Sequence, residues 1–259
     1  MIQHDLLDLY NRDQRIDFAP VGSVRLVTQE TIRHIFQGGL QGMVIYSQLT
    51  PQNADQIIER EIAFFREKGI GFEWKLYDHD SPPNLKQRLE KYGLALNGEP
   101  EALMVLDLAK VPPGLLDVST GGIRRIEDPS QIRSDVTCVS EAVYGEDRDG
   151  LAAYLEERLK IAPELTSIYT AYADGKPACS GWLICHKGSE FAGLWGGSTL
   201  PQYRGRGLYT MILAARVKEA VQRGLCYLTI DASPMSRPIV AKYGFDFLTY
   251  TYPMVWELG

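Results

Sequence analysis

The sequence lacks the features that mark membrane and secreted proteins. It contains no run of about 18 apolar residues, so we expect no membrane-spanning helix. Its first residues show no basic stretch followed by an apolar core, so we expect no secretory signal. These absences predict a cytoplasmic protein that does not associate with membranes.

Cysteine and histidine are scarce, with four of each, and neither forms a cluster. No CxxC pair and no HExxH motif occur, so we expect no metal site. Every cysteine lies in an apolar segment, which predicts buried, reduced thiols rather than disulfides. The cysteines are Cys138, Cys179, Cys185 and Cys226.

Basic residues are outnumbered by acidic ones. The 27 Lys and Arg residues face 33 Asp and Glu residues, for a net charge of -6. Nucleic-acid binding without sequence preference needs a basic surface, so nucleic acid is not an expected partner. The acidity favours a cationic substrate over an anionic one, although only slightly.

The chain is long enough for two modest domains, with 259 residues of which 45% are hydrophobic. A Pro- and Gly-rich stretch without periodicity covers residues 111–122 and is typical of a linker. We therefore place a boundary near residue 115, between an N-terminal domain at 1–114 and a C-terminal domain at 115–259.

The C-terminal half predicts the order β-α-α-β-β-β-α-β-α-β. Asp174-Gly175 and Lys187-Gly188 are hairpin turns between strands. One helix after them has an apolar face at Leu208, Met211, Ile212 and Ala215, and Gly224 ends it. The predicted elements are strands at 123–126, 167–172, 177–186, 191–200, 225–231 and 247–258, and helices at 129–143, 150–160, 208–223 and 236–243.

The N-terminal half carries a fainter copy of this pattern. It predicts strands at 44–49, 72–78 and 101–108 and helices at 54–68 and 84–92. Lys91-Tyr92-Gly93 precedes its last strand, just as Lys242-Tyr243-Gly244 precedes the last strand of the chain. Matching element order with a shared tripeptide indicates a degenerate internal repeat.

A glycine-rich loop, LPQYRGRGL at residues 200–208, joins a predicted strand to a predicted helix. Helix N-termini leave several amides unpaired and carry partial positive charge, so they bind phosphate groups well. Gly205 and Gly207 allow close approach and positive φ. The equivalent stretch of the first copy, residues 50–53, has no glycine, so only the second copy is expected to hold a diphosphate.

Two nucleotide-binding motifs were compared with this loop. A dinucleotide fingerprint GxGxxG would place Thr210 at its third glycine, and only 28 residues follow Asp231, the acid that would bind ribose. The hexapeptide Gln202-Tyr203-Arg204-Gly205-Arg206-Gly207 instead resembles the Q/R-x-x-G-x-G/A motif of the GNAT superfamily of acyl-CoA-dependent N-acyltransferases. The resemblance extends over residues 123–258 and includes Gly244-Phe245.

The resemblance implies an α/β fold with a central mixed sheet flanked by helices, preceded by a smaller degenerate GNAT-like domain. It implies acetyl-CoA, or another acyl-CoA, as co-substrate. Gly196-Gly197 suits the distorted strand that opens a slot for the thioester in this family. The residues implied in cofactor binding are Ser198, Thr199, Leu200, Gln202, Tyr203, Arg204, Gly205, Arg206, Gly207 and Leu208.

The catalytic groups are less clear. The family often places a tyrosine acid four residues before the helix-ending glycine, where this chain has Val240. Ser233, Ser236 and Tyr209 are substitutes for that acid. Candidate bases are Asp231, Glu190 and Glu141, with capping of the Ser233-Pro234 turn as an alternative role for Asp231. The residues we predict as catalytic are Glu141, Asp231 and Ser236.

The sequence favours an N-acetyltransferase that acts on a primary amine of a small molecule or peptide. A non-catalytic acyl-CoA sensor remains the alternative, because the expected tyrosine is missing. A third hypothesis is an amide-forming ligase that works without coenzyme A, against which the intact glycine loop argues. Trp182 and Trp195 are candidates for lining a pocket, but they alternate with smaller residues in strands, which favours a place in the core. Pairing of two chains through the last strand, if that strand lies at an edge, would give a homodimer.

Overall fold

The computed structural model describes residues 3–36 and 41–259, which pack as two units. Unit 1 contains the described residues of Met1–Met104 together with Asp231–Ile239 and Phe247–Gly259. Unit 2 contains Val105–Ile230 and Val240–Asp246. The units therefore do not coincide with the two halves of the sequence, because the end of the chain belongs to unit 1. The boundary near residue 115 concerns the sequence halves and stays a prediction.

In the described part of the first half, the sequence predicted five helices and strands to within a few residues. Four others were not predicted: one helix and two strands before residue 37, and a two-residue strand at Ala95–Leu96. In chain order the elements are α1 (Gln3–Asn11), β1 (Ser23–Val27), β2 (Thr31–Phe36), β3 (Gly42–Ser47), α2 (Ala54–Glu67), β4 (Phe72–Tyr77), α3 (Leu85–Lys91), β5 (Ala95–Leu96) and β6 (Glu101–Asp107).

The second half follows the predicted order, preceded by a short extra helix in the predicted linker. Its elements are α4 (Pro113–Leu116), β7 (Ile123–Ile126), α5 (Cys138–Tyr144), α6 (Asp149–Ile161), β8 (Thr166–Ala173), β9 (Lys176–Cys185), β10 (Phe191–Thr199), α7 (Leu208–Gln222), β11 (Tyr227–Ala232), α8 (Arg237–Ala241) and β12 (Asp246–Trp256).

In unit 1, β1, β2 and β3 are antiparallel neighbours, and β4 lies parallel to β3. β12 runs antiparallel to β4 and also pairs with β5. The backbone edge of β12 that faces β4 is therefore already hydrogen-bonded within the chain. Helix α2 covers one face of this sheet. Its predicted apolar residues are all buried, in a core that includes Trp74 and Met254, and they are Ile57, Ile58, Ile62 and Phe65.

In unit 2, β7, β8, β9 and β10 form an antiparallel meander, and β11 lies parallel to β10. Asp174 and Gly175 both have positive φ, 52° and 74°, as a two-residue hairpin turn requires. Trp182 and Ile184 of β9 pack with Leu155 of α6 on one face. Ile212 of α7 packs with Ala171 and Cys179 on another.

The two halves repeat the same pairing. In each, three antiparallel strands are followed by a helix and a strand parallel to the third one. A short helix and a last long strand then complete each copy. The glycines of the shared tripeptide also have the same backbone conformation, with φ of 85° at Gly93 and 86° at Gly244. The tandem arrangement expected from the sequence is therefore present in the element order.

The predicted helix at 129–143 is not continuous. A 3-10 turn at Pro129–Gln131 and a π-helical segment at Ile132–Thr137 precede α5. Hydroxyl groups of the sheet explain the interruption: Thr170 donates to the Asp135 carbonyl at 2.8 Å and Ser180 donates to the Val136 carbonyl at 3.1 Å. Such contacts compete with regular α-helical hydrogen bonding.

Two further expectations were wrong. Cys226 is exposed and Cys138 half-buried, whereas Cys179 and Cys185 are buried; all four thiols are free. The buried face of α7 also differs from the predicted one: Ile212 is buried, but Leu208, Met211 and Ala215 are only half-buried, and the charged side chains of Arg216 and Glu219 are buried as well. Within 3–36 and 41–259, no helix combines the length and the apolar character needed to cross a bilayer.

Candidate functional site

The glycine-rich loop leads from β10 directly into α7 in unit 2. A 3-10 turn at Pro201–Tyr203 begins it, and the Tyr203 amide donates to the Leu200 carbonyl at 2.9 Å. Gly205 and Gly207 then adopt left-handed conformations, with φ of 73° and 79°. Side chains with a Cβ adopt these angles only with strain, so glycine is required at both positions.

The amides at the start of α7 are open. Its first helical hydrogen bond runs from Met211 N to Gly207 O, and in the described chain no acceptor meets the amides of residues 205–208. A Cβ on either Gly205 or Gly207 would meet no atom within 4 Å. Because α7 has 15 residues, its N-terminus carries the full partial positive charge of a helix dipole. This arrangement suits a diphosphate.

Two arginines lie beside these amides. Both side chains are exposed. Arg204 donates to the Thr199 carbonyl at 3.3 Å, and the Arg206 guanidinium lies 5.1 Å from the centre of the Tyr203 ring. The Tyr203 side chain is buried and anchors the loop.

The matching loop of the first copy is closed by its own side chains. Thr50 N donates to Asn53 Oδ1 at 2.7 Å, and Asn53 N donates to Thr50 Oγ1 at 3.2 Å. These reciprocal caps occupy amides that a phosphate would otherwise bind. The contrast supports the expectation that only the second copy can hold a diphosphate.

Strands β10 and β11 separate beside this loop. They pair through only three positions, from Phe191↔Tyr227 to Gly193↔Thr229, although β10 continues to Thr199. On its other side β10 loses register with β9 between Trp195 and Ser198. The bulge expected at Gly196-Gly197 is thus confirmed, and a slot opens between β10 and β11 beyond Gly193.

The two glycines of the bulge are enforced by close contacts. Gly196 has a φ of 71°, and a Cβ there would lie 1.9 Å from the Trp182 ring. A Cβ on Gly197 would lie 2.6 Å from the Tyr209 ring. The bulge therefore fits between a core tryptophan and the first turn of α7.

A buried arginine braces the bulge. Arg216 of α7 is fully buried, and its Nη1 donates to the carbonyls of Trp182 and Trp195 at 3.2 and 3.1 Å. Its Nε donates to Ile212 O within α7. Burial lowers the pKa of this guanidinium. These bonds tie both strands to α7 on either side of the lost register.

The two tryptophans of this region behave differently. Trp182 is buried as predicted, but the core prediction for Trp195 was wrong, because 47% of its surface is exposed. The indole lies back along β10: a Cβ on Gly193 would be 2.4 Å from Trp195 Nε1. The Trp195 indole therefore lies over Gly193, the last residue of β10 that pairs with β11.

The predicted catalytic residues fall in both units. Glu141 is half-buried on α5 in unit 2. Asp231 and Ser236 belong to unit 1. Ser236 forms a local turn with Ser233, with 3.2 Å between the two hydroxyl oxygens. The structure thus groups the loop with the separated strands in unit 2, whereas two of these three residues lie in unit 1.

Asp231 contacts a lysine that the sequence did not indicate. Its Oδ2 accepts a hydrogen bond from Lys75 Nζ at 2.7 Å, and its Oδ1 is buried without a partner in the described chain. The alternative role as a cap of the Ser233-Pro234 turn is not observed. Glu101 lies 3.7 Å from Lys75, and burial raises the pKa of Glu101 to about 7.

The position of the missing tyrosine and the remaining acid and base candidates differ in burial. Val240 is fully buried, and its hydrocarbon side chain has no proton to donate. The Tyr209 hydroxyl is buried without a partner in the described chain, and burial raises its pKa. Glu190, considered as a base, is exposed.

Sequence reasoning did not identify Arg216 or Lys75, and it favoured a place in the core for Trp195. Arg216 follows Ile212 by four residues on the apolar face of α7, and a charge at that spacing was a usable signal. Trp195 follows Gly193 by two residues in one strand, which places them on the same face. Nothing in the sequence connects Lys75 with Asp231, which are 156 positions apart.

A family comparison agrees with this geometry. The acetyltransferase (GNAT) family model matches residues 131–245, which include the loop, the bulge and α7. This part of the chain therefore matches the GNAT family. No curated protein sequence matches the chain significantly.

Solved structures share the fold over nearly the whole chain. A GCN5-related N-acetyltransferase from Kribbella flavida has a TM-score of 0.66 at 12% identity, covering 100% of this chain and 96% of that one. A tandem GNAT protein from the clavulanic acid biosynthesis pathway has a TM-score of 0.59 at 16% identity, covering 99% and 95%. A GNAT-family acetyltransferase from Colwellia psychrerythraea has a TM-score of 0.54 at 14% identity, covering 98% and 96%. At these identities the similarity establishes the fold.

Proposed function

We propose that this GNAT protein transfers an acetyl group from acetyl-CoA to a primary amine of a small molecule or peptide. One observation carries the proposal: the open amides of residues 205–208 lie at the end of a strand that separates from its parallel neighbour. A diphosphate fits the amides, and an extended pantetheine arm fits beside β10 at Ser198, Thr199 and Leu200.

Bound acetyl-CoA supplies an activated acyl thioester. Transfer forms a C–N bond to the amine and breaks the C–S bond, and the proton lost by the amine balances the thiolate. The chain contributes mainly by positioning and by backbone donors in the bulge, where residues 196 and 197 pair with neither neighbouring strand in register. One such donor typically contributes about 10²- to 10³-fold in rate.

A base would assist by taking the amine proton. Glu141 and Asp231 remain our candidates, with Ser236 as a weak acid for the leaving thiolate. Among the described residues, one carboxylate oxygen of Asp231 has no hydrogen-bond partner, and the other accepts a hydrogen bond from Lys75. A general base or acid typically contributes about 10²- to 10⁴-fold to the rate. We therefore expect variants that lack one to keep the part of the activity that positioning provides.

The binding step is tested with two glycine variants, Gly205→Glu and Gly207→Glu. Each places a carboxylate where the diphosphate binds, so we expect acetyl-CoA affinity to fall at least 100-fold in isothermal titration calorimetry. The matched control is Gly188→Glu, since Gly188 has a similar φ of 78° and equally open surroundings in a β-turn. It carries the same backbone strain without the charge at the loop.

Unchanged affinity in both loop variants would reject the diphosphate site. Equal losses in the control and the loop variants would mean that strain, rather than charge, causes the effect.

The buried Val240 favours a second candidate, a non-catalytic acyl-CoA sensor. A panel of primary amines with acetyl-CoA, followed by detection of released thiol, separates the two. Turnover with any amine supports the transferase. Tight acetyl-CoA binding without turnover across polyamines, aminoglycosides, amino acids and peptide N-termini supports the sensor.

A further inference from the structure

The position of Trp195 bears on the length of the acyl group. Trp195 lies on β10 two residues after Gly193, the last residue of β10 that pairs with β11. The slot between the two strands begins there. A ligand arm that follows β10 from the glycine loop towards Gly193 therefore ends at the indole.

The indole is held in this position by the strand itself. Its Nε1 lies 2.4 Å from where a Cβ of Gly193 would be, so a side chain at position 193 would displace the ring from this place. The Trp195 carbonyl is fixed by Arg216 at 3.1 Å. Trp195 is in register with Trp182, so both side chains occupy one face of the sheet.

The Trp195 ring is not needed to fill the core of unit 2. Trp182, on the same face, is 5% exposed and contributes to the core, whereas Trp195 is 47% exposed. A large aromatic side chain that is left half in solvent at the end of a slot is available to contact a ligand.

We propose that Trp195 limits the acyl group to a short chain, because its indole closes the slot where β10 and β11 separate. This inference rests on the proposed function. Acetyl fits in front of the ring, whereas a six-carbon chain must displace it. Gly193 acts with Trp195 as the residue that positions the ring.

The test measures binding and needs no acceptor amine. Calorimetric affinities for coenzyme A, acetyl-CoA, butyryl-CoA and hexanoyl-CoA are compared. For the unmodified chain we expect hexanoyl-CoA to bind at least 10-fold more weakly than acetyl-CoA. In Trp195→Ala the difference should shrink below 3-fold, while affinity for coenzyme A itself stays within 2-fold.

Two further variants and a control test whether the indole causes this preference for acetyl-CoA over hexanoyl-CoA. Gly193→Ala should also reduce the preference, because its Cβ displaces the ring without removing the ring. Trp195→Phe should keep part of the preference. Ile161→Ala, which removes an exposed apolar side chain at the end of α6, should leave it unchanged.

The outcomes separate the two proposals. If neither the unmodified chain nor any variant binds coenzyme A, both the proposed function and this inference fail. If coenzyme A and acetyl-CoA bind but the hexanoyl-to-acetyl ratio is the same with and without the indole, only the role of Trp195 is overturned.

Discussion

Lys75 lies in unit 1 among three carboxylates, of which Asp231 and Glu101 are its partners at 2.7 and 3.7 Å. Glu73 lies two positions earlier on the same face of β4. Burial raises the pKa of Glu73, and the pKa of Glu101 rises to about 7. Burial lowers the pKa of Lys75, but its acidic neighbours raise it further, so the lysine stays charged. One lysine therefore faces more negative charge than it neutralises.

This imbalance predicts a pH-dependent stability that Glu101 controls. A carboxyl group whose pKa is raised in the folded state stabilises fully below its ordinary value of 4.5, and this contribution is lost as pH rises through about 7. We expect the free energy of unfolding to fall between pH 5 and pH 8. In Glu101→Gln this fall should be smaller, as measured by urea unfolding at each pH.

Glu99→Gln is the control, since it removes an exposed carboxylate two residues earlier. Identical pH profiles for the Glu101 variant and the unmodified chain would contradict the assignment.

At the scale of elements, the glycine-rich loop and the bulge could be predicted from the sequence, but the Arg216 contacts that hold the bulge in place could not. Gly205 and Gly207 indicate positive φ by their residue type, and Gly196-Gly197 indicates a bulge by its place in a strand. The brace beneath the bulge depends on Arg216 reaching carbonyls 34 and 21 positions away, which local periodicity does not encode. The same holds for the break in the 129–143 helix, which hydroxyl groups of distant strands cause.

The brace predicts a specific effect of Arg216→Met. Methionine fills similar space but donates no hydrogen bond, so the Trp182 and Trp195 carbonyls lose a charged donor. Hydrogen bonds to charged groups contribute about 1.5–3 kcal/mol each, and removal of the buried charge offsets part of this. We expect a loss of about 1–3 kcal/mol in urea unfolding, on the same basis.

The location of the effect is the sharper measurement. Amide hydrogen exchange in Arg216→Met should accelerate at Leu200, whose amide donates to the Ala178 carbonyl beyond the bulge, but not at Ala171 in the β8–β9 hairpin. Uniform acceleration over all of unit 2 would indicate general destabilisation instead of a local brace.

At the scale of the whole molecule, the internal repeat was visible in the sequence, but the composition of the packed units was not. Element order and the shared Lys-Tyr-Gly tripeptide depend on local pattern, which a sequence retains. Which strand β12 pairs with depends on register with β4, and alternating apolar residues are compatible with several partners. Residues 247–259 consequently belong to unit 1 although they end the C-terminal half.

This arrangement predicts that unit 1 depends on the end of the chain. Deleting residues 246–259 removes six register positions along β4, from Thr251↔Tyr77 to Trp256↔Phe72. It also removes Met254, which is fully buried in the unit 1 core, and burial of such a side chain contributes about 1.5–3 kcal/mol. The edge of β4 would then be unpaired and prone to association. We expect early proteolytic cleavage within residues 42–104. Deleting only residues 257–259, which lie beyond β12, is the control and should leave protection intact. Equal protection after both deletions would show that β12 is dispensable for unit 1.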